Sequence, residues 1–140
     1  MNLESVKVIN LPRIEDRRGN LSFIEGNRHI PFEIARTYCI YDVPGGQFRS
    51  GHAYYAQQEF IVALSGSFDV VLTDGVQEKT ISLNRSYYGI YIPKMIWRQL
   101  TNFSTNSLAL VLASIPFDES DYIRDFEKYK KIQNEAYNYI

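Results

Sequence analysis

The stretch "GGQFRSGHAYYAQQEFIVALSGS" (residues 45–67) decides how the rest of the chain is read. It runs Gly46, five residues, His52, one residue, Tyr54, four residues, Glu59, six residues, Gly66. Side chains alternate along a strand, so His52 and Tyr54 share one face. "EFIVAL" and "FDVVLT", separated by Ser65-Gly66-Ser67, read as two strands joined by a hairpin turn. A histidine, a phenol and a carboxylate at this spacing look like a metal site from which one donor has been replaced.

The surrounding sequence repeats the strand pattern. "VKVINL", "LSFIEG", "ARTYCIYDV", "KTISL", "YYGIYI" and "LALVLAS" are short apolar or alternating runs. They are cut by "EDRRGN", Pro44-Gly45-Gly46, Asp74-Gly75, Pro93 and Pro116. Many short strands without intervening helices predict a sandwich or barrel rather than alternating βα units. After Pro116 the period changes. Tyr122, Phe126, Tyr129 and Ile132 or Gln133 recur every three or four residues, with Asp118 or Ser120 as N-cap. The expectation is a single domain over residues 1–140, with a β-barrel over 1–116 and a C-terminal helix over 117–140.

Composition agrees. At 140 residues, 45% hydrophobic and net charge −1, the chain suits one globular domain. Near-neutral charge gives no reason to expect a nucleic-acid or membrane partner. Cys39, the single cysteine, precludes an intrachain disulfide and reads as a small buried hydrophobe. "MNLESVKVINL" has no apolar signal core, and no apolar run approaches the ~20 residues of a membrane span, so a soluble cytoplasmic protein is expected.

A second spacing supports the first: Pro93, four residues, Arg98, three residues, Asn102. Together the two resemble the paired motifs of the cupin superfamily, small jelly-roll barrels built as a double-stranded β-helix. Metal-binding cupins hold an ion with three histidines and a glutamate. The matching positions here are His52, Tyr54, Glu59 and Arg98. A guanidinium stays protonated and has no lone pair for a cation, while a phenol ligates only as a phenolate, costly at a reference pKa of about 10. The expectation is no metal.

Nearly the whole chain also resembles a narrower family, the 3,4-ketoisomerases that act on TDP-4-keto-6-deoxyglucose. "EDRRGNLSFIEG", "IPFEIARTYCIYDV", "RSGHA", "YGIYIPKMIWRQLTNFS" and, most diagnostically, "LVLASIPFDESDYIRDFEKYKK" carry the likeness. The resemblance implies a homodimer with no cofactor, making sugar precursors of bacterial surface polysaccharides. It also implies two motif histidines in proton transfer. His52 matches the first, and Tyr54 replaces the second. Arg18 and Arg98 match positions that influence the stereochemistry at C4, and they point to opposite branches of the family.

The implied reaction moves a ketone from C4 to C3 through an enediolate. It needs a base near neutral pKa, a hydroxyl relay and positive charge beside the developing oxyanion. His52 fits the base and Tyr54 the relay or acid. Arg98 fits the oxyanion, and Arg49 fits a diphosphate oxygen. Glu59 is placed to position His52 or Arg98, or to neutralise buried charge. Tyr38 is a further inward-facing candidate, and Arg18 completes the substrate-binding set. Two alternatives stand beside this reading: a 3- or 3,5-epimerase of similar sugars, and a sugar-nucleotide-binding cupin that has lost its base pair.

Overall fold

The computed structural model describes residues 2–138. Its strands are β1 (Lys7–Asn10), β2 (Arg13–Asp16), β3 (Gly19–Ser22), β4 (Arg36–Tyr41), β5 (Arg49–Tyr54) and β6 (Glu59–Ser65). They continue with β7 (Phe68–Thr73), β8 (Glu78–Leu83), β9 (Tyr88–Ile92), β10 (Trp97–Thr101), β11 (Leu108–Ala113) and β12 (Tyr122–Ile123). One helix, α1 (Phe126–Asn138), follows them. The strands form two five-stranded antiparallel sheets, ordered β1-β9-β6-β11-β4 and β12-β5-β10-β7-β8. The all-β jelly roll with a C-terminal helix expected from the sequence is the observed architecture. Among the described residues, no helix is long and apolar enough to cross a membrane.

Alternation within the strands divides the molecule into an interior and two coated outer faces. Ile61, Ala63, Phe68, Val70, Leu72, Ile90, Ile92, Leu100, Ala109 and Val111 meet between the sheets as the main core. The outer face of the first sheet presents Phe60, Val62 and Leu112. Ile24, Ile30, Phe32 and Ile34, from the segment between β3 and β4, cover it. Tyr129 and Ile132 of α1 cover Ala53, Met95 and Trp97 on the second sheet.

Three expectations are corrected. β6 and β7 are not a hairpin: β6 pairs with β9 and β11, while β7 pairs with β8 and β10. The turn between them instead carries the chain from one sheet to the other. Gly66 adopts φ +65° there, and a Cβ would lie 2.5 Å from Ser104 Oγ, so the sharp crossing is packed against the 104–107 loop.

The helix is the second correction. It begins at Phe126, with Asp125 Oδ1 accepting from the amides of Glu127 and Lys128. Asp118 instead caps a one-turn 3-10 helix, Glu119–Asp121, and Tyr122 lies in β12, paired with Tyr54 of β5. Pairing on a sheet edge outweighs the helical spacing that Tyr122 shares with Phe126. The last two residues of the expected helix, 139–140, lie outside the described residues.

Third, Cys39 is exposed. Tyr38 and Ile40 of β4 pack into the interior, so the pleat turns Cys39 outward on a strand at the sheet edge.

Candidate active site

The polar end of the barrel is set by an irregularity in β5. Arg98 of β10 pairs with His52, but Leu100, two residues on, pairs with Arg49, three residues back. The extra residue is a β-bulge. Simple alternation would send Arg49 and His52 to opposite faces; the bulge brings both to one cavity. Gly51 sits beside it under the Trp97 indole, where a Cβ would lie 2.3 Å from Trp97 Nε1. Trp97 therefore fixes the bulge from the outer face while Arg98 meets His52 on the inner one.

Glu59 opens β6 and is 1% exposed. Arg98, 2% exposed, donates from Nε to Glu59 Oε1 at 2.9 Å and from Nη2 to Oε2 at 3.2 Å. Glu59 Oε2 also accepts from Tyr38 Oη at 2.7 Å, Tyr54 Oη at 3.2 Å and Gln57 Nε2 at 3.2 Å. Arg98 Nη2 donates to Tyr38 Oη at 2.7 Å as well. Tyr54 Oη lies 2.9 Å from His52 Nε2. With the Tyr54 proton given to Glu59, His52 Nε2–H donates to the phenol oxygen, and a continuous path runs from imidazole through phenol to carboxylate.

The electrostatics follow from this packing. Burial works to raise the Glu59 carboxyl, but the Arg98 guanidinium and its hydrogen bonds overcome it, holding Glu59 below the usual carboxylate range. Burial works to lower Arg98, and Glu59 more than reverses it. Tyr38 and Tyr54 are both pushed well above the ordinary phenol value, first by burial and then, against the pull of Arg98, by the Glu59 charge. Both phenols are therefore neutral hydroxyls in any physiological buffer.

The metal that the cupin fold commonly holds does not fit this donor set. Both Glu59 oxygens accept from Arg98, whose fixed positive charge stands where the fold's third histidine would donate.

The cavity measures about 550 Å³ and is lined by Arg36, Tyr38, Ile40, Phe48, Arg49 and His52, with Arg98, Phe117, Tyr122 and Arg124. Of the seven sequence-predicted residues, Tyr38, Arg49, His52 and Arg98 line it, and Tyr54 and Glu59 are buried and hydrogen-bonded to these lining residues. Arg18 does not join them. It stands at the tip of the β2–β3 hairpin, 90% exposed, with Nη2 2.8 Å from Asp16 Oδ2.

Sequence reasoning missed Arg36, Phe48, Phe117, Tyr122 and Arg124. Alternation from Tyr38 signals Arg36 two residues earlier. The helical spacing of Tyr122 masks its place in β12, and with it Arg124 just beyond the end of that strand. Tyr122 packs on the His52 and Tyr54 rings, at centroid distances of 5.1 and 4.7 Å, and Arg124 lies 4.2 Å over the Tyr122 ring. Asp121 anchors this segment by accepting from the Ala56 and Gln57 amides at 2.9 and 3.0 Å.

Comparison with known proteins agrees with this geometry. The family model FdtA, described as "WxcM-like, C-terminal", matches residues 4–134. The chain is 41% identical over 125 residues to a TDP-4-oxo-6-deoxy-α-D-glucose-3,4-oxoisomerase of Aneurinibacillus thermoaerophilus, covering 89% of this chain and 90% of that one. Its fold matches the WlaRB TDP-quinovose 3,4-ketoisomerase of Campylobacter jejuni with a TM-score of 0.88 and 39% identity, covering 92% and 99% of the two chains. A variant of the QdtA 3,4-ketoisomerase of Thermoanaerobacterium thermosaccharolyticum, in complex with TDP-4-keto-6-deoxyglucose, matches with a TM-score of 0.92 and 34% identity, over 95% and 96%. With 131 of its 140 residues under one family model, and with relatives of this identity along nearly its full length, the chain belongs to the FdtA family, WxcM-like, C-terminal.

Proposed function

We propose that this protein is a 3,4-ketoisomerase of a TDP-linked 4-keto-6-deoxyhexose. The observation that carries the proposal is the His52–Tyr54–Glu59 hydrogen-bonded path at the wall of a cavity, backed by the buried Arg98. The ketone at C4 acidifies the proton on C3. His52 removes it, and the C–H electron pair forms the C3–C4 double bond as the C4 carbonyl becomes an enediolate oxygen. The O3 proton passes to O4, and the imidazolium, its N–H exchanged with solvent, delivers a proton to C4. The product has its ketone at C3, and electrons balance without an external oxidant or reductant.

Tyr54 steadies the imidazolium and passes charge toward Glu59. Arg98 keeps Glu59 ionised, and with Tyr38 supplies positive and hydroxyl character beside the enediolate. Arg49 stands at the mouth for the diphosphate.

A homodimer is part of this reading. It is supported by the β2–β3 hairpin, which pairs with neither large sheet and leaves Ile14 and Leu21 each 55% exposed. In such a dimer the hairpin is also the element able to carry Arg18 to a partner's cavity. A cytoplasmic location belongs to the same reading, supported by the nucleotide-linked sugars named for the relatives.

The test is proton NMR of TDP-4-keto-6-deoxyglucose with the protein in D₂O. Signals of a 3-keto product with deuterium at C4 are expected. Exchange at C3 or C5 with the ketone still at C4 would replace this reading with an epimerase. Absence of both exchange and any 3-keto product would leave a binding protein.

A further inference from the structure

Arg36 reaches the cavity from β4 on the same face as Tyr38. Its Nη2 donates to Gln57 Oε1 at 3.0 Å. The guanidinium carbon lies 5.2 Å from the Tyr38 ring centroid and 5.3 Å from that of Phe117. Arg36 Nε is buried and, among the described residues, is the only buried side-chain polar atom without a hydrogen-bond partner. No carboxylate of the described residues forms an ion pair with it.

Two of the other three cavity arginines differ. Arg98 spends Nε and Nη2 on Glu59, and Arg124 spends the same two nitrogens on Glu119 at 3.1 and 3.2 Å. Arg49, like Arg36, has no ion pair among the described residues. Arg36 and Arg49 thus give the cavity two guanidinium charges with no ion-pair partner among the described residues. Aromatic faces orient a guanidinium without neutralising it, and the Gln57 amide is neutral too. A half-buried cation held on three sides, with an orphaned donor, is a site made for an anion.

We propose that Arg36 is a substrate-binding residue that grips the diphosphate of the sugar nucleotide together with Arg49. A diphosphate esterified at both ends carries two negative charges near neutral pH, matching these two guanidinium groups. The proposal rests on the nucleotide-sugar reading above and adds a positioning route to it. Gln57, 1% exposed, accepts from Arg36 through Oε1 and donates through Nε2 to Glu59 Oε2 at 3.2 Å. One rigid amide thus ties the anion-gripping arginine to the carboxylate of the proton path, fixing where the ketone lies relative to His52.

The experiment is calorimetric titration of TDP into the wild type, Arg36→Gln and Arg36→Lys, with thymidine binding followed in parallel by ligand-observed NMR. Arg36→Gln weakens TDP by about 10- to 100-fold, the range of a charge-assisted hydrogen bond, and leaves thymidine unchanged. Arg36→Lys, which keeps the charge but loses the fork, falls between. If Arg36→Gln does not fold, the lysine variant carries the test. Wild-type affinity for TDP in a folded variant would overturn the role of Arg36 while leaving the nucleotide-sugar reading intact. A wild type that binds neither TDP nor the sugar nucleotide would overturn both.

Discussion

Arg98 Nε donates to Glu59 Oε1 at 2.9 Å in a place where neither side chain has more than 2% of its surface exposed. The pair is the hub of the polar end of the barrel, and removing either partner strands a buried charge. Glu59→Gln and Arg98→Met are each expected to cost about 3–5 kcal/mol, with the double variant costing much less than their sum. Thermal unfolding of the four proteins in a double-mutant cycle measures it. Additive losses would show that the pair is not coupled.

The same pair sets an acid limit. The folded-state value of Glu59 is depressed from its ordinary 4.5, so the unfolded chain binds the proton more readily. Its contribution to stability is complete above about pH 5 and is lost as pH falls through 4.5 and below. Melting temperatures of wild type and Glu59→Gln from pH 7 to pH 3 are expected to converge toward the acid end. A constant gap would mean that Glu59 is not ionised in the folded protein.

His52 and Tyr54 differ in what their loss should do. His52→Asn is expected to reduce turnover by at least about 10²-fold, the lower range for a general base, with TDP binding retained. Tyr54→Phe keeps the ring between His52 and Tyr122 but removes the hydroxyl from the path. Its expected signature is a fall in kcat with little change in KM. Because the Tyr54 phenol is held far above neutral pH, the basic limb of the wild-type pH–rate profile should not move in Tyr54→Phe. Coupled NMR and stopped assays report both, and near-wild-type turnover by His52→Asn would end its assignment as the base.

Gly51 is predicted to be indispensable for a reason unrelated to its φ. A methyl group there meets Trp97 Nε1 at 2.3 Å, so Gly51→Ala must displace the indole or open the bulge between Arg49 and His52. Overpacking of this kind costs about 1–3 kcal/mol. Trp97→Leu in the same chain should restore part of the lost melting temperature. No loss in Gly51→Ala alone would show that the indole moves freely.

Asp121 tests whether the C-terminal segment shapes the cavity. Asp121→Ala removes the acceptor for two amides, Ala56 and Gln57, at an expected cost of about 1–3 kcal/mol. KM should rise as Tyr122 and Arg124 lose their support. Unchanged KM in a destabilised protein would confine Asp121 to folding.

The sequence by itself determined the barrel and much of its site. Strand alternation puts His52 and Tyr54 on one face, because a pleat has a fixed period of two, and the resemblance of two spacings to the cupin motifs implies that these two, Glu59 and Arg98 face inward. Tertiary structure decided the rest wherever pairing between distant strands overrode local pattern. An extra residue in β5 against β10 turned Arg49 inward. Pairing with Tyr54 drew Tyr122 out of a helical stripe and into the cavity wall. Ser65-Gly66-Ser67 looked like a hairpin but crossed between sheets, since its two strands found better partners elsewhere. The charge balance was likewise invisible along the chain: which cavity arginines are neutralised depends on where Glu59 and Glu119 fall in space, and that leaves Arg36 and Arg49 without an ion pair among the described residues.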